Sequence, residues 1–317
     1  MIQTKDNPVA LSPTYGPQRL GRLVTEQIGS TPLLQIQRIA KLPDRVQLLA
    51  KAEWFNPGGS VKDRAALFII DDALRRGLLG RGKTLIDSTS GNTGIAYAMV
   101  GAARGIPITL VMPENVSIER VQRTRAYGAT VLFSDPLEGS DGAIRMVRRM
   151  VAEDPGQYYY ADQYNNPNNL RAHMETTGPE IVAQTEGRIT HFVAGIGTTG
   201  TLIGTGRYLK QVNPAIRVVA VEPADELQVI EGLKYMATAI VPGIFDPTLA
   251  DTKIEVEAEV AYRVTRQLAR EEGLFVGFSA GAAMYAAVKV AKSLTEGVVV
   301  VILPDAGDKY LSTGLFM

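Results

Sequence analysis

Apolar and polar positions alternate along this chain in two registers. Short apolar runs at 46–54, 84–87, 106–112 and 130–133 read as strands. Between them lie stretches whose apolar residues recur every third or fourth position, at 61–76, 92–104, 117–127 and 139–152, and these read as helices. In the first, the stripe is Ala65, Leu67, Ile69, Ile70 and Leu74. Gly105 and Gly128 follow helices as C-cap glycines do. Strand–helix alternation of this kind implies a parallel sheet with right-handed crossovers. A short strand at 158–160 follows. Asn165, Asn166, Pro167, Asn168 and Asn169 then read as a loop and as a crossover between domains.

A second alternating series comes next: helix 176–185, strand 191–196, helix 201–211 and strand 218–221. Residues 232–245 look irregular. Helix 257–272, capped by Gly273, precedes an extended piece at 275–277, a helix at 279–293 and a strand at 298–303. That last run is apolar on both faces, as a buried parallel strand requires. There is no internal repeat and no low-complexity tract. The expected class is α/β, with two open, twisted, mainly parallel sheets flanked by helices. Residues 1–28, polar with scattered Pro and Gly, read as an arm.

Composition narrows the chemistry. The 317 residues suit two domains or one large one. Lys+Arg and Asp+Glu are both 33, which removes the simplest electrostatic case for nucleic acid or an anionic membrane. There is no cysteine, so disulfides, thiolate metal sites and a cysteine nucleophile are excluded. His173 and His191 are the only histidines and stand far apart, so no histidine-rich metal site is expected. No apolar run approaches the roughly 20 residues of a membrane span. The first residues lack the apolar core of a signal peptide. A soluble, cytoplasmic protein that binds neither membrane nor nucleic acid is the expectation.

Candidate chemistry gathers where strands end. Asn56, Pro57, Gly58, Gly59 and Ser60 form a loop after the 46–54 strand, and Ser60 suits an N-cap. Lys62 then sits in the first helical turn. The positive helix end and burial both disfavour its ammonium, and a lysine made partly neutral can form a Schiff base. Taken alone, the loop also suits a solvated surface lysine. Thr89, Ser90, Gly91, Asn92 and Thr93 follow the 84–87 strand and offer hydroxyls, an amide and free N–H groups to a carboxylate. Gly197, Thr198, Thr199, Gly200 and Thr201 lie between a strand and a helix, where backbone N–H groups make an anion cradle. Ser279 is an N-cap by position. Open α/β sheets bind ligands at such carboxyl ends.

Four such motifs in order, with Gly29, Ser30, Thr31, Pro32 and Leu33 ahead of them, resemble the cysteine synthase family of fold type II (tryptophan synthase β-like) pyridoxal phosphate enzymes. The resemblance runs from about Gly29 to the C-terminus. The family usually carries a third glycine where Thr199 stands. A threonine there, and the ending Asp305 to Thr313, resemble the B-type branch.

The resemblance implies that Lys62 carries pyridoxal 5′-phosphate and acts as general base, and that Asn92 bonds the cofactor's 3′-oxygen. Residues 197–201 would hold its phosphate, and Ser279 would face the pyridine nitrogen. Thr89, Ser90, Gly91, Thr93 and Gln163 would hold the substrate carboxylate. Lys234 would meet a phosphate leaving group; a surface lysine in a mobile loop is the alternative. The implied reaction is β-replacement through an α-aminoacrylate, making cysteine from O-acetylserine or O-phosphoserine and a sulfur donor: sulfide, thiosulfate or a carrier thiocarboxylate. Rival readings are cystathionine β-synthase or serine dehydratase activity, or a non-catalytic partner-binding homologue. The resemblance further implies a homodimer, possible partnership with a sulfur-carrier protein or serine acetyltransferase, and a division into three parts. These are an arm at 1–33, a smaller mobile domain at 56–166, and a larger domain of 34–55 with 167–317.

Overall fold

The structure is a computed structural model that describes residues 21–80, 82–89 and 91–316. Ser90 and most of the arm lie outside the described residues. The elements, in order, are β1 (Leu33–Gln35), β2 (Val46–Ala52), α1 (Lys62–Arg75), β3 (Thr84–Ser88), α2 (Asn92–Arg104), β4 (Ile108–Pro113), α3 (Ile118–Ala126), β5 (Thr130–Ser134), α4 (Gly139–Glu153) and β6 (Tyr158–Tyr160). Then come α5 (Pro167–Ala172), α6 (Gly178–Gln184), β7 (His191–Gly195), α7 (Gly200–Val212), β8 (Arg217–Pro223), β9 (Thr252–Val256), α8 (Ala258–Gln267), α9 (Phe278–Ser293) and β10 (Gly297–Leu303).

Two sheets result. One has six strands in the order β1-β2-β10-β7-β8-β9, the other four in the order β5-β4-β3-β6. Every pairing is parallel except that of β1 with β2. The smaller sheet is formed within 84–160. The larger takes β1 and β2 from before that stretch and the rest from after it, so the chain leaves the larger sheet through the Lys62 loop and returns through α5. In β10 every position from Val298 to Leu303 is buried, because helices cover both faces. One core packs α8 and α9 against the larger sheet through Val299, Val301, Ala283 and Ala287; another fills the smaller sheet through Leu85, Tyr97, Leu110 and Ile69.

Several local expectations give way. The Asn-Pro stretch is a loop only to Asn166, which caps α5 with its side chain (Asn168 N–H to Oδ1, 3.0 Å) while Pro167 takes the first helical position. Asn followed by Pro is a helix start as much as a loop. A wide π turn at His173–Thr177 joins α5 to α6, so the helix expected at 176–185 begins earlier. β9 went unseen in the pattern because it is an edge strand with only Ile254 and Val256 buried. Residues 275–277 add no strand; Val276 makes one isolated bridge, to Ala306. The chain between β8 and β9 forms neither helix nor strand.

Candidate active site

The Lys62 loop is stitched to the end of β10. Val61 N–H donates to the Pro304 carbonyl at 2.8 Å, and Ser60 bridges Asp305. Ser60 Oγ accepts the Lys62 N–H at 3.2 Å, so the serine does serve the first turn, although α1 proper begins at Lys62. Gly58 N–H donates to Asp63 Oδ2 at 2.5 Å, and the buried Lys309 ammonium donates to the Gly59 carbonyl at 2.9 Å. Arg64 turns the other way, into a buried network with Glu53 (2.8 Å) and Glu180 (2.6 Å) that also takes in Lys51. With both neighbours anchored, Lys62 is left to face the interior. No described residue is hydrogen-bonded or ion-paired to its ammonium. Burial lowers its pKa, and the nearby carboxylates of Asp305 and Glu53 offset only part of that.

The loop after β3 is organised by Thr89, whose Oγ1 accepts the N–H groups of Gly91 (3.0 Å) and Gly94 (3.2 Å). The N-cap is therefore Gly91, with Thr89 supplying the acceptor, not Asn92. That frees Asn92: its Nδ2 donates to Asp305 Oδ2 at 2.7 Å, while its buried Oδ1 has no partner. Gln163 is buried. Its Oε1 accepts the Thr93 hydroxyl at 2.7 Å and its Nε2 donates to the Ser88 carbonyl at 2.7 Å. Gln163 thus orients Thr93 and braces the loop.

The loop between β7 and α7 has the form of a cradle. A Cβ at Gly197 would run into the Gly232 carbonyl oxygen, and one at Gly200 into Asn169. Thr199 has φ 72°, a left-handed conformation that explains the usefulness of glycine there. Its buried Oγ1 has no partner. Thr198 Oγ1 accepts from Asn169 Nδ2 at 3.0 Å, and Thr201 Oγ1 lies 3.2 Å from His173 Nε2. Ser279 falls one residue inside the first turn of α9, whose N-cap is Gly277, and lies buried opposite Gly232. It is not the cap, because the extended Gly277 ends the loop two residues earlier.

Two adjoining cavities collect these groups. Lys62, Asn92, Gly197 and Thr198 line both. Thr89, Gly91, Thr93, Gln163 and Lys234 line the one toward the smaller sheet, and Thr199, Thr201 and Ser279 the one toward the larger. Of the described residues singled out in the sequence, Gly200 alone lines neither; it lets α7 start against Asn169. Lys234 is no solvated lysine. Its ammonium lies 3.7 Å from Asp141 and 4.7 Å above the Tyr164 ring, and burial lowers its pKa against the pull of Asp141.

Four further residues shape the site. Asp305 follows a buried strand, and the carboxyl-end rule applied to 298–303 would have found it. Arg120, Glu231 and Tyr310 carried no such signal. Arg120 is ion-paired with Glu231 and lies over the Tyr310 ring at 4.6 Å, while Tyr310 O–H donates to Asp305 Oδ2 at 2.6 Å.

Comparison with known proteins agrees with this geometry. Residues 24–305 match a family described as pyridoxal-phosphate dependent enzyme. The chain is 53% identical over 299 residues to a cysteine synthase of Aquifex aeolicus, covering 92% of this chain and 91% of that one. It is 44% identical to cysteine synthase B of Escherichia coli, covering 92% and 95%. A crystal structure of cysteine synthase from Entamoeba histolytica superposes with a TM-score of 0.89 at 33% identity, covering 96% and 94%.

Proposed function

The chain belongs to the pyridoxal-phosphate dependent enzymes, among their cysteine synthases, and on that premise we propose a role for each residue of the site. It is an enzyme that uses pyridoxal 5′-phosphate to make cysteine from an O-activated serine. The residues present fit that cofactor. They supply an amine without a partner, an orphaned hydroxyl at a helix start, and a cradle that any side chain at Gly197 would fill.

Bound pyridoxal phosphate supplies the electron sink for elimination and addition at the β-carbon. Lys62 holds the cofactor. Once substrate has taken its place, the amine, kept from full protonation by burial, takes the Cα proton and later returns it. The N–H groups that open α7, with Thr199 and Thr201, bind the phosphate. Asn92 would meet the 3′-oxygen through the second hydrogen of its Nδ2, the first being held by Asp305. Ser279, a neutral partner for the ring nitrogen, leaves that nitrogen less positive than an aspartate would, which favours prompt loss of a β-leaving group. Thr89, Ser90, Gly91 and Thr93 bind the substrate carboxylate, with Gln163 setting the Thr93 hydroxyl. Lys234 stands where a leaving phosphate would emerge.

The unit built on the smaller sheet closes over substrate, as the ion pairs Arg120–Glu231 and Lys234–Asp141 across the site mouth suggest. A homodimer, a cytoplasmic setting and a sulfur-carrier or acetyltransferase partner belong to the same reading. Among the described residues, no helix is long and apolar enough to cross a membrane.

The observation that carries the assignment is Lys62: a desolvated amine without a partner, facing the 89–93 and 197–201 loops across one pair of cavities. The test is rapid-mixing absorbance of the holoenzyme with O-acetyl-L-serine and, separately, O-phospho-L-serine, followed by sulfide. A change in the cofactor band with one ester, then its recovery with release of cysteine, supports the reading and identifies the acceptor. Bound cofactor that responds to neither ester would overturn it.

A further inference from the structure

The reaction cavity is small, ≈ 90 Å³, and Lys62, Thr93, Gln163, Tyr164 and Lys234 line it together. A flexible lysine stem on the wall of so small a space reaches a leaving group that departs inside it. The Lys234 side chain is only 14% exposed, and its ammonium lies 4.7 Å above the Tyr164 ring and 3.7 Å from Asp141 Oδ1. Asp141 is 33% exposed and sits in the first turn of α4, whose positive end suits a carboxylate. It does not itself line the cavity, although its neighbour Ser140 does. The pair is therefore lopsided. The ammonium, held out of water, needs a counter-charge, whereas the carboxylate can be rehydrated from outside. An anion arriving in the cavity can take the place of Asp141 beside Lys234, but it has to displace that carboxylate to do so.

We propose that Asp141 is a specificity-determining residue for the first substrate: by holding Lys234 in a neutral pair, it favours an ester with an uncharged leaving group, such as the acetyl, over a phosphate ester. The inference rests on the β-replacement reading above and deepens it. In the step concerned, Lys62 takes the Cα proton, the Cα–H electron pair forms the second bond to Cβ, and the Cβ–O bond breaks with its electron pair on the oxygen. No oxidant or reductant is needed. Acetate departs from an ester group that entered neutral. A phosphate ester brings a charge of about −1.5 to −2 with it, which gains from Lys234 and loses to Asp141. Selectivity between the two esters is the difference of such terms. A unit charge several ångströms away, in a medium between water and protein interior, changes binding by about three- to tenfold.

The test compares the holoenzyme with its Asp141→Asn, Asp141→Glu and Lys234→Gln variants and with the Asp141→Asn/Lys234→Gln double variant. Two readouts are taken: the ratio of kcat/KM for O-phospho-L-serine to that for O-acetyl-L-serine, and inhibition of the O-acetyl-L-serine reaction by inorganic phosphate. The second reads the site even where the phosphate ester turns over too slowly to measure. Burial lowers the Lys234 pKa and Asp141 offsets part of that, so every assay is run at pH 6.5, on the side that favours the ammonium. In Asp141→Asn the ratio should rise, and the phosphate inhibition constant should fall, by about three- to tenfold. Asp141→Glu, which keeps the charge, should restore the parent values. In the Lys234→Gln background neither quantity should respond to Asp141→Asn, a coupling that a merely structural role for Asp141 would not produce. A ratio and an inhibition constant that stay put in Asp141→Asn, or that shift equally with Lys234→Gln present, would overturn the proposal. Holoenzyme that makes cysteine from neither ester would instead overturn the β-replacement reading.

Discussion

Asn92 Nδ2 donates to Asp305 Oδ2 at 2.7 Å, joining positions 213 residues apart. The bond runs from the start of α2, beside the smaller sheet, to a residue just past the end of β10 in the larger one. The same Asp305 oxygen accepts the Tyr310 hydroxyl at 2.6 Å, and the carboxylate raises the pKa of Lys62. One buried acid therefore orients the group assigned to the cofactor oxygen and sets the field at the amine assigned to its carbonyl.

Asp305→Asn keeps the size of that residue and removes its charge. Burial already lowers the Lys62 pKa, and loss of the carboxylate should lower it further. Only the neutral amine attacks a carbonyl. The pH at which the apoenzyme takes up pyridoxal phosphate at half its maximal rate should lie below the ordinary lysine value of about 10.4, and lower still in the variant. An unchanged or higher midpoint would refute this electrostatic account.

Lys62→Ala should reduce kcat by roughly 10²–10⁴-fold while the protein still folds. Borohydride trapping followed by peptide mass analysis should place the cofactor on the peptide containing Lys62 in the parent enzyme. Trapping on another lysine would move the assignment.

Gly197→Ala should weaken cofactor binding, because the added methyl group meets the Gly232 carbonyl. An overpacking cost of about 1–3 kcal/mol corresponds to a loss of roughly five- to 150-fold in affinity, readable by equilibrium dialysis. Retained affinity would mean that the cradle yields.

Arg64→Ala leaves the buried Glu53 without its cation and removes a partner of Glu180. Breaking such a pair from one side costs about 3–5 kcal/mol, so the urea midpoint should fall accordingly. Burial raises the Glu180 pKa, but the hydrogen bonds and charge of Arg64, with Lys51, outweigh it and hold it down to about 2. That contribution is present above the unfolded carboxylate value of about 4.3 and is lost as pH falls toward 2.

His173 adds a separate acid sensitivity. Burial, with the charge of Arg64, pushes it down to about 3, so it is held neutral between Thr177 Oγ1 (2.9 Å) and Thr201 Oγ1. The unfolded chain binds this proton first, near pH 6.5, so stability should decline as pH drops below that, by at most about 1.4 kcal/mol per unit. Urea denaturation at pH 7.5 and pH 5 should show the decline, and His173→Gln should flatten it.

The amino-acid pattern by itself determined the alternation of strands and helices, the buried run of β10, and the four loops in which Lys62, Asn92, the 197–201 cradle and Ser279 stand. These are local properties: apolar periodicity, and Gly, Pro and hydroxyl residues at the turns that need them. Tertiary structure alone decided three further things. β9 is a strand because it has β8 to pair with; two buried side chains are too weak a pattern without it. Asn92 is free of capping because Thr89 folds back to do that work. Arg120, Glu231 and Tyr310 join the site wall, and Asp141 and Asp305 hold Lys234 and Asn92 from behind it, drawn from segments far apart in the chain. A charged residue on a helix or in an irregular stretch looks alike whether it meets water or an opposite charge. Its partner is chosen by the way the two sheets pack, which no window of neighbouring residues contains.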